Sequence, residues 1–214
     1  MYGTEFREGC HVQFDPSAMP WQAGYQLMTG AIVPRPIAFV STLSESGVLN
    51  LAAFSFFTAA SANPLAVAFT PMRRQDGTRK DTYVNIMATR QFVVNVVTDA
   101  IVAPMNETSP EFAPDVDEFA VSGLTPAPSV RVKPPLVKES PISLECELLQ
   151  SVDIGEGPGS ASLVVGKVVY IHVRDELLDG LRIDTAALHP VARLAGHFYT
   201  KVNADTIFEL VRKR

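Results

Sequence analysis

Cysteine, histidine and basic side chains are scarce in this sequence of 214 residues. The two cysteines, Cys10 and Cys146, are too few for a disulfide framework, which favours a reducing compartment and structural thiols. The formal net charge is −5, whereas a nucleic-acid surface needs clustered Lys and Arg, so no nucleic-acid partner is expected. No two histidines have the spacing of metal ligands and no metal site is predicted; the histidines are His11, His172, His189 and His197.

Long apolar runs and glycine-rich nucleotide motifs are also missing. No stretch reaches the ~18 apolar residues of a membrane span, and the N-terminal MYGTEFREGC lacks the basic-then-apolar order of a signal peptide. We therefore expect a cytoplasmic protein without a membrane partner. Neither the dinucleotide fingerprint nor a phosphate loop occurs. Hydrophobic residues nevertheless make up 47% of the chain, which is enough for one domain with a large core.

The hydrophobic pattern predicts many strands and few helices. Strands are expected over residues 37–43, 48–53, 65–70, 92–97, 142–153, 162–174 and 198–202. Helices are expected over residues 21–28, 80–90 and 100–106, with a single turn within 188–194. Gly30 should end the first helix, Asp81 or Thr82 should cap the second, and Thr98-Asp99 should cap the third. Hairpin turns without βαβ alternation indicate a mainly β fold with short helices, closed into an antiparallel barrel.

One domain is expected over residues 22–203, between an N-terminal arm at 1–21 and a C-terminal tail at 204–214. Within this domain, residues 109–141 are rich in proline. Proline cannot donate to a strand ladder, so this segment is predicted to be a long excursion over the surface. Such an excursion can serve as a lid or as a dimer arm.

One short motif is suited to an anion. Arg79, Lys80 and Thr82 place two cations and a hydroxyl at the predicted start of a helix. Free backbone N–H groups and the helix dipole favour an anion there, so the motif predicts a phosphate cradle. The alternative is a solvated basic turn that continues Arg73 and Arg74.

A second constellation lies on the first predicted hairpin. Ser41 and Thr42 end one strand, and the returning strand carries the small residues Ala52, Ala53 and Ser55. Small side chains let a planar ring approach the backbone, whose polar groups can bond the edge of the ring. Three phenylalanines within residues 54–57 would supply apolar walls. The alternative is an ordinary hairpin with a phenylalanine-rich core.

Taken in order, these segments resemble the flavin reductase-like family, which binds FMN. The resemblance runs from about residue 22 to residue 200, and its many ordered motifs make it specific. The matching residues are Pro34 to Thr42, Asn50 to Phe57, Asn63-Pro64, Lys80-Asp81-Thr82, Asn85-Ile86, Phe92 to Asn95, Glu145 to Leu148, Gly166-Lys167-Val168, Arg193 to Gly196, and Tyr199.

The resemblance implies an FMN-binding split barrel, which is a six-stranded antiparallel Greek-key barrel. It also implies a homodimer with FMN near the dimer interface. The residues implied for the phosphate end of FMN are Ser41, Thr42, Arg79, Lys80 and Thr82. The residues implied to line the flavin ring are Asn50, Ala52, Ala53 and Ser55. The sequence predicts no catalytic acid or base.

One departure from the family bears on the electron donor. Many flavin reductases carry Gly-Asp-His before the last long strand, where this chain has Gly159-Ser160-Ala161. The chain therefore resembles the flavoredoxin-like branch more closely. Three functions stay open. The first is an NAD(P)H:flavin reductase-like oxidoreductase that uses NADH or NADPH and reduces a small-molecule or redox-protein acceptor. The second is an FMN electron carrier without its own NAD(P)H site, and the third is a cofactor-free split-barrel binding module.

Overall fold

The computed structural model describes residues 12–211 and 213. Cys10 and His11 lie outside these residues, as does much of the predicted N-terminal arm. The helices of the described part are α1 Trp21–Ala31, α2 Asp81–Thr89, α3 Val102–Glu107, α4 Glu118–Ser122 and α5 Thr185–Leu188, with 3₁₀ turns at Pro16–Ala18, Asp175–Leu177 and Ala204–Thr206. None of these helices combines the length and the apolar character that crossing a membrane requires.

Strands make up most of the ordered structure in the described residues. In chain order they are β1 Arg35–Pro36, β2 Ala38–Leu43, β3 Leu49–Phe54, β4 Phe57–Ala62, β5 Leu65–Phe69, β6 Gln91–Val96, β7 Pro126–Ala127, β8 Leu136–Val137, β9 Ile142–Ile154, β10 Ala161–Val173, β11 Leu178–Asp179, β12 Arg182–Ile183, β13 Val191–Arg193 and β14 Tyr199–Lys201. The main sheet has seven strands in the order β3-β2-β6-β9-β10-β5-β4. All of its neighbouring strands are antiparallel.

The main sheet curls back on itself. Its two edge strands, β3 and β4, follow one another in the chain and are joined by Ser55 and Phe56 alone. The carbonyl of Phe56 accepts a hydrogen bond of 2.9 Å from the Thr70 N–H, which ties this link to the end of β5. The two edges therefore meet at one end, as in a split barrel. Six of the seven predicted strands lie in the main sheet. Strand β4 is missing from the predictions, because its sequence FTAASA is largely exposed and lacks an alternating pattern.

Strand β2 is buried on both faces, so it separates two cores. Ala38 and Val40 belong to an inner core inside the curled sheet, together with Phe54, Phe69, Phe92 and Val164. Phe39 faces the opposite way into an outer core with Leu51, Ile101, Met105, Phe119 and Val137. Each fully buried phenylalanine or valine contributes roughly 1.5–3 kcal/mol to folding. Cys146 is buried with the inner core, and burial raises the pKa of its thiol, in keeping with a structural thiol.

The proline-rich segment 109–141 is more than a surface excursion. Phe119 and Val137 are buried in the outer core. Successive N–H groups of residues 130–132 donate to the buried carboxylate of Glu145, at 2.7, 2.6 and 2.9 Å. The predicted excursion is therefore wrong in part, because buried polar partners elsewhere in the chain hold the segment down. As the prolines predict, its short strands β7 and β8 pair only with each other and stay outside the main sheet.

Two predictions near helix α5 and helix α1 need correction. Residues 191–193 are not helical, because α5 ends at Leu188 and the chain then forms strand β13, which pairs with β1 and β14. His189 adopts a left-handed conformation (φ 49°) before Pro190, a combination that ends a helix. Gly30 does not end α1, since the helix continues to Ala31.

The predicted caps of α2 and α3 are also wrong. Lys80 is the N-cap of α2, while the side chain of Asp81 forms an ion pair of 2.6 Å with Arg74. The Thr82 hydroxyl instead accepts a hydrogen bond from the Asn50 side chain on β3. Helix α3 has Ile101 as its N-cap rather than Thr98-Asp99. Contacts outside the helix decide the roles of these side chains, and the residue types at the helix start do not show such contacts.

Candidate functional site

A cleft of ≈ 820 Å³ opens beside the link between the two edge strands. It is enclosed by helix α1, strand β1, the end of β3, the loop before α2, residues within 105–111, and the β13–β14 turn. The residues that line the cleft include Trp21, Tyr25, Arg35, Ala53, Ser55, Arg73, Arg74, Lys80, Arg193 and Tyr199.

Helix α1 forms the aromatic wall of the cleft. Trp21 and Tyr25 lie one helical turn apart, and both are more than one-third exposed, at 38% and 37%. Trp21 packs directly on Gly159 in the hairpin between β9 and β10, where an added Cβ would lie 2.7 Å from the indole. Gly159 also has φ +78°, which disfavours side chains. The fit of the wall against the barrel therefore depends on glycine at this position.

A second cavity of ≈ 140 Å³ adjoins the cleft, and both are lined by Ala53, Arg74 and Lys80. Lys80 stands at the N-terminus of α2, where no side-chain cap is present among the described residues. The N–H groups that begin this nine-residue helix and the ammonium group of Lys80 give this end of the cleft a positive character.

Buried polar side chains form the floor of the smaller cavity. Asn50 donates a hydrogen bond of 2.9 Å to the Thr82 hydroxyl, which joins β3 to α2. Glu118 accepts a hydrogen bond of 3.1 Å from the N–H of Leu51. Burial raises the pKa of Glu118 above the usual glutamate range. The carboxyl group therefore holds its proton more strongly than an exposed one.

The predicted site residues separate into two groups. The large cleft is lined by Ala53, Ser55 and Lys80, and the adjoining cavity is lined by Asn50, Ala52, Ala53, Lys80 and Thr82. The structure does not bring Ser41, Thr42 or Arg79 to either cavity.

The three outlying residues have structural partners instead. Ser41 is fully buried and donates a hydrogen bond of 2.5 Å to the carbonyl of Pro135 in the proline-rich segment. Thr42 is also fully buried and accepts a hydrogen bond of 3.1 Å from Asn85 of α2. Arg79 turns toward Asp153 on β9, 2.7 Å away. That hydrogen bond raises the pKa of Arg79.

Several residues that line the cleft are not among the predicted site residues. Arg193 and Tyr199 belong to the motifs that carry the family resemblance, but nothing in their types indicates a position in a cleft. Trp21 and Tyr25 offered one signal, since aromatic residues four apart share a face of a helix. Arg35 stands between two prolines in an extended stretch, which gives no sign of a site, and the structure buries it at the base of the cleft.

A family model described as "Flavin reductase like domain" matches residues 29–192. The chain belongs to the flavin reductase-like family. Nitrilotriacetate monooxygenase component B from Bacillus cereus is 36% identical and superposes with a TM-score of 0.89, covering 94% of this chain and 100% of that one. The Pseudomonas fluorescens 2-nitrobenzoate 2-nitroreductase NbaA is 30% identical with a TM-score of 0.84, covering 94% and 96%.

Flavoredoxin of Desulfovibrio vulgaris (Miyazaki F) has a TM-score of 0.70 at 22% identity, covering 85% of this chain and 91% of its own, and this likeness concerns the fold alone. The split-barrel prediction is confirmed. Family membership supports a flavin cofactor and flavin-related electron transfer, and the similar proteins support oxidoreductase activity in general.

Proposed function

We propose that the cleft binds FMN, with its phosphate at the start of α2. The observation that carries the proposal is Lys80, which lines both cavities beside a helix N-terminus that no side chain caps within the described residues. Nearby, the Nε of Arg73 is buried without a hydrogen-bond partner among the described residues. Oxygen atoms of a phosphate would satisfy such donors.

The flavin ring would lie against the end of β3. Ala53 is exposed there and Ser55 follows it, so small side chains leave room for a planar ring. Strand β3 is an edge of the main sheet, and part of its backbone N–H and C=O groups faces away from the ladder. Those groups suit the polar edge of a flavin. The cleft volume of ≈ 820 Å³ falls within the range of ~300–1,000 Å³ that is usual for small-molecule sites.

FMN supplies the redox chemistry when it is bound, and the chain supplies position and electrostatics. Lys80 and the first N–H groups of α2 hold the phosphate. Trp21 and Tyr25 cover one side of the cleft and limit the access of water. The basic side chains that line the cleft keep its potential positive, which favours ligands and reduced states that carry negative charge.

The binding proposal is tested by titration of FMN into the purified protein. Trp21 is the single tryptophan of the sequence, so quenching of its fluorescence reports directly on the cleft. A charged hydrogen bond to phosphate is worth roughly 1.5–3 kcal/mol. We therefore expect K80A to weaken FMN binding about 10- to 150-fold and to leave riboflavin binding unchanged. Lys133→Ala, at an exposed position, is the control. Equal losses for FMN and riboflavin would contradict the phosphate assignment.

We further propose that the protein with FMN bound is an oxidoreductase that oxidises NADH or NADPH and reduces a small-molecule or redox-protein acceptor. The alternative is an electron carrier without its own nicotinamide site. This alternative is supported by Gly159-Ser160-Ala161, which stands where many flavin reductases have Gly-Asp-His. Anaerobic mixing separates the two. Rapid bleaching of the flavin by either nucleotide supports the reductase, whereas bleaching by dithionite alone supports the carrier.

We also propose a homodimer. Exposed apolar side chains on β9 and β10 support it, since surface of this kind is common at interfaces between subunits. These side chains are Leu149, Val152, Ile154, Tyr170 and Ile171. Light scattering at several protein concentrations measures the mass, and a mass of one chain at all of them would exclude the dimer.

A further inference from the structure

Two arginines meet at the end of the cleft that α1 shares with β13. Arg35 and Arg193 stand directly opposite each other on the paired strands β1 and β13. Arg35 is 5% exposed and donates to the carbonyls of Thr29, Ile32 and Leu194 at 2.6, 2.7 and 2.9 Å. Within the described residues, neither arginine forms an ion pair with a carboxylate. This end of the cleft therefore carries positive charge that the described carboxylates do not neutralise.

The surroundings of Arg35 disfavour its positive charge. Burial is the main cause that lowers the pKa of Arg35; Tyr25 acts in the opposite direction, and the neighbouring charge of Arg193 lowers the pKa further. A carboxylate beside the pair would offset both effects. Glu111 is the carboxylate that lines the large cleft in the described part of the chain, and it also lines the smaller cavity, at the Lys80 end.

Arg193 is the residue that can contact a ligand. Its guanidinium lies 4.5 Å from the centre of the Tyr199 ring and donates to the Tyr199 hydroxyl and the carbonyl of Gly196. A guanidinium has five N–H donors, so donors remain for a ligand. Arg35, by contrast, uses most of its donors on the backbone and fixes the geometry behind Arg193.

This end is separate from the phosphate end. Helix α1 runs along the cleft, with Trp21 at the Gly159 hairpin and Thr29 at Arg35. The hairpin adjoins the phosphate end, since Ser160 accepts a hydrogen bond of 2.8 Å from the N–H of Arg73. At 1.5 Å per residue, the eight residues from Trp21 to Thr29 span about 12 Å. One phosphate therefore cannot serve both ends.

We propose that the Arg193 end of the cleft is a subsite for the carboxylate of a planar organic acid, which binds beside the flavin ring. Arg193 binds the carboxylate, Arg35 positions Arg193 and adds charge, and the aromatic side chains of Tyr25 and Tyr199 contact the plane of the ligand. This inference rests on the proposed FMN site for the identity of the neighbouring ring. The subsite itself consists only of residues described above.

The test uses benzoate as the probe and benzamide as its neutral isostere. Both compounds are titrated into the FMN-loaded protein, and the visible spectrum of the flavin is used to detect binding. We expect benzoate to bind at least about 10-fold more tightly than benzamide. We expect R193Q to weaken benzoate about 10- to 150-fold, as for a lost charged hydrogen bond, and to leave benzamide unchanged. R193K should retain part of the affinity. Arg182→Gln, at an exposed position on β12, is the matched control.

Four outcomes would overturn the inference. The first is equal affinity for benzoate and benzamide, and the second is equal benzoate affinity in wild type and R193Q. The third is inorganic phosphate that binds as tightly as benzoate and depends equally on Arg193. If R193Q weakens FMN rather than benzoate, Arg193 belongs to the flavin site and the inference is likewise wrong. If the wild-type protein binds no FMN, the proposed function fails, while calorimetric titration of benzoate into the flavin-free protein still decides the subsite.

Discussion

Replacing Glu145 by glutamine tests whether a buried carboxylate holds the proline-rich segment on the sheet. Both oxygens are in use. Oε2 accepts from the N–H groups of Arg131 at 2.6 Å and Val132 at 2.9 Å. Oε1 accepts from the N–H of Val130 at 2.7 Å and lies 2.6 Å from His172 Nε2. A carboxamide keeps one acceptor oxygen and presents a donor in place of the other, so one backbone N–H loses its partner.

The expected loss follows from these contacts. One buried N–H without a partner costs about 1–3 kcal/mol. The loss of the negative charge weakens each of the two remaining backbone hydrogen bonds by about 1 kcal/mol. We therefore expect E145Q to lower the free energy of unfolding by about 3–5 kcal/mol. At 2–4 °C per kcal/mol for a chain of this size, the melting temperature should fall by roughly 6–20 °C.

Urea unfolding at pH 7 measures this loss, with E147Q as the control because Glu147 lies two residues along the same strand and is exposed. Burial acts to raise the pKa of Glu145, but hydrogen bonds from His172 and the backbone outweigh it and hold the pKa below its ordinary value of 4.5. A lowered pKa stabilises the folded state above the ordinary value, and this stability is lost as the pH falls through the folded value. The gap between wild type and E145Q should therefore narrow on acidification. Equal urea midpoints for wild type, E145Q and E147Q at pH 7 would refute the reasoning.

Three further substitutions test the barrel, the cleft wall and the smaller cavity. Gly166→Ala places a methyl group against the buried ring of Phe92, and we expect it to cost about 1–3 kcal/mol in denaturant unfolding; an unchanged midpoint would show that the core is looser than described. Gly159→Ala should displace Trp21 and shift its fluorescence emission, because the added Cβ would lie 2.7 Å from the indole; an unshifted spectrum would contradict this contact. Burial raises the pKa of Glu118, so wild-type stability should fall as the pH rises from the ordinary value of 4.5 through the raised one. The free energy of unfolding of E118Q should lack this fall, so E118Q should be more stable than wild type at pH values above the raised pKa. Parallel pH profiles of the two proteins would contradict the raised pKa of Glu118.

The strands could be predicted where apolar residues alternate with polar ones or follow one another in a short run. Strand β2 shows the second case, because both sets of its side chains are buried, one in each core. Strand β4 could not be predicted, since its place is set by its neighbour β5 and by the link through Ser55 and Phe56 rather than by its own apolar residues. Residues 191–193 were ambiguous because a short apolar stretch fits a helical turn as well as a strand.

The site was predictable where a residue's role depends on local chain geometry. Lys80 stands at a helix start and Ala53 at a strand end, and both lie in the cleft as expected from their positions. The roles of Ser41 and Arg79 depend on partners distant in sequence, Pro135 and Asp153. No spacing within a short motif shows that such a partner will be nearby. For the same reason, the opposed pair of Arg35 and Arg193 appears only once β1 and β13 are paired.

Most of helix α1 lies before residue 29, where the match to the family begins, yet it supplies Trp21 and Tyr25 to the cleft. The aromatic wall of the cleft therefore lies on one helix, whereas the basic side chains Lys80 and Arg193 lie on other parts of the chain. Grafting the α1 of another member onto this barrel would exchange the aromatic wall while leaving the start of α2 and strand β13 intact. In this architecture, the apolar and the charged surfaces of one cleft can be exchanged separately.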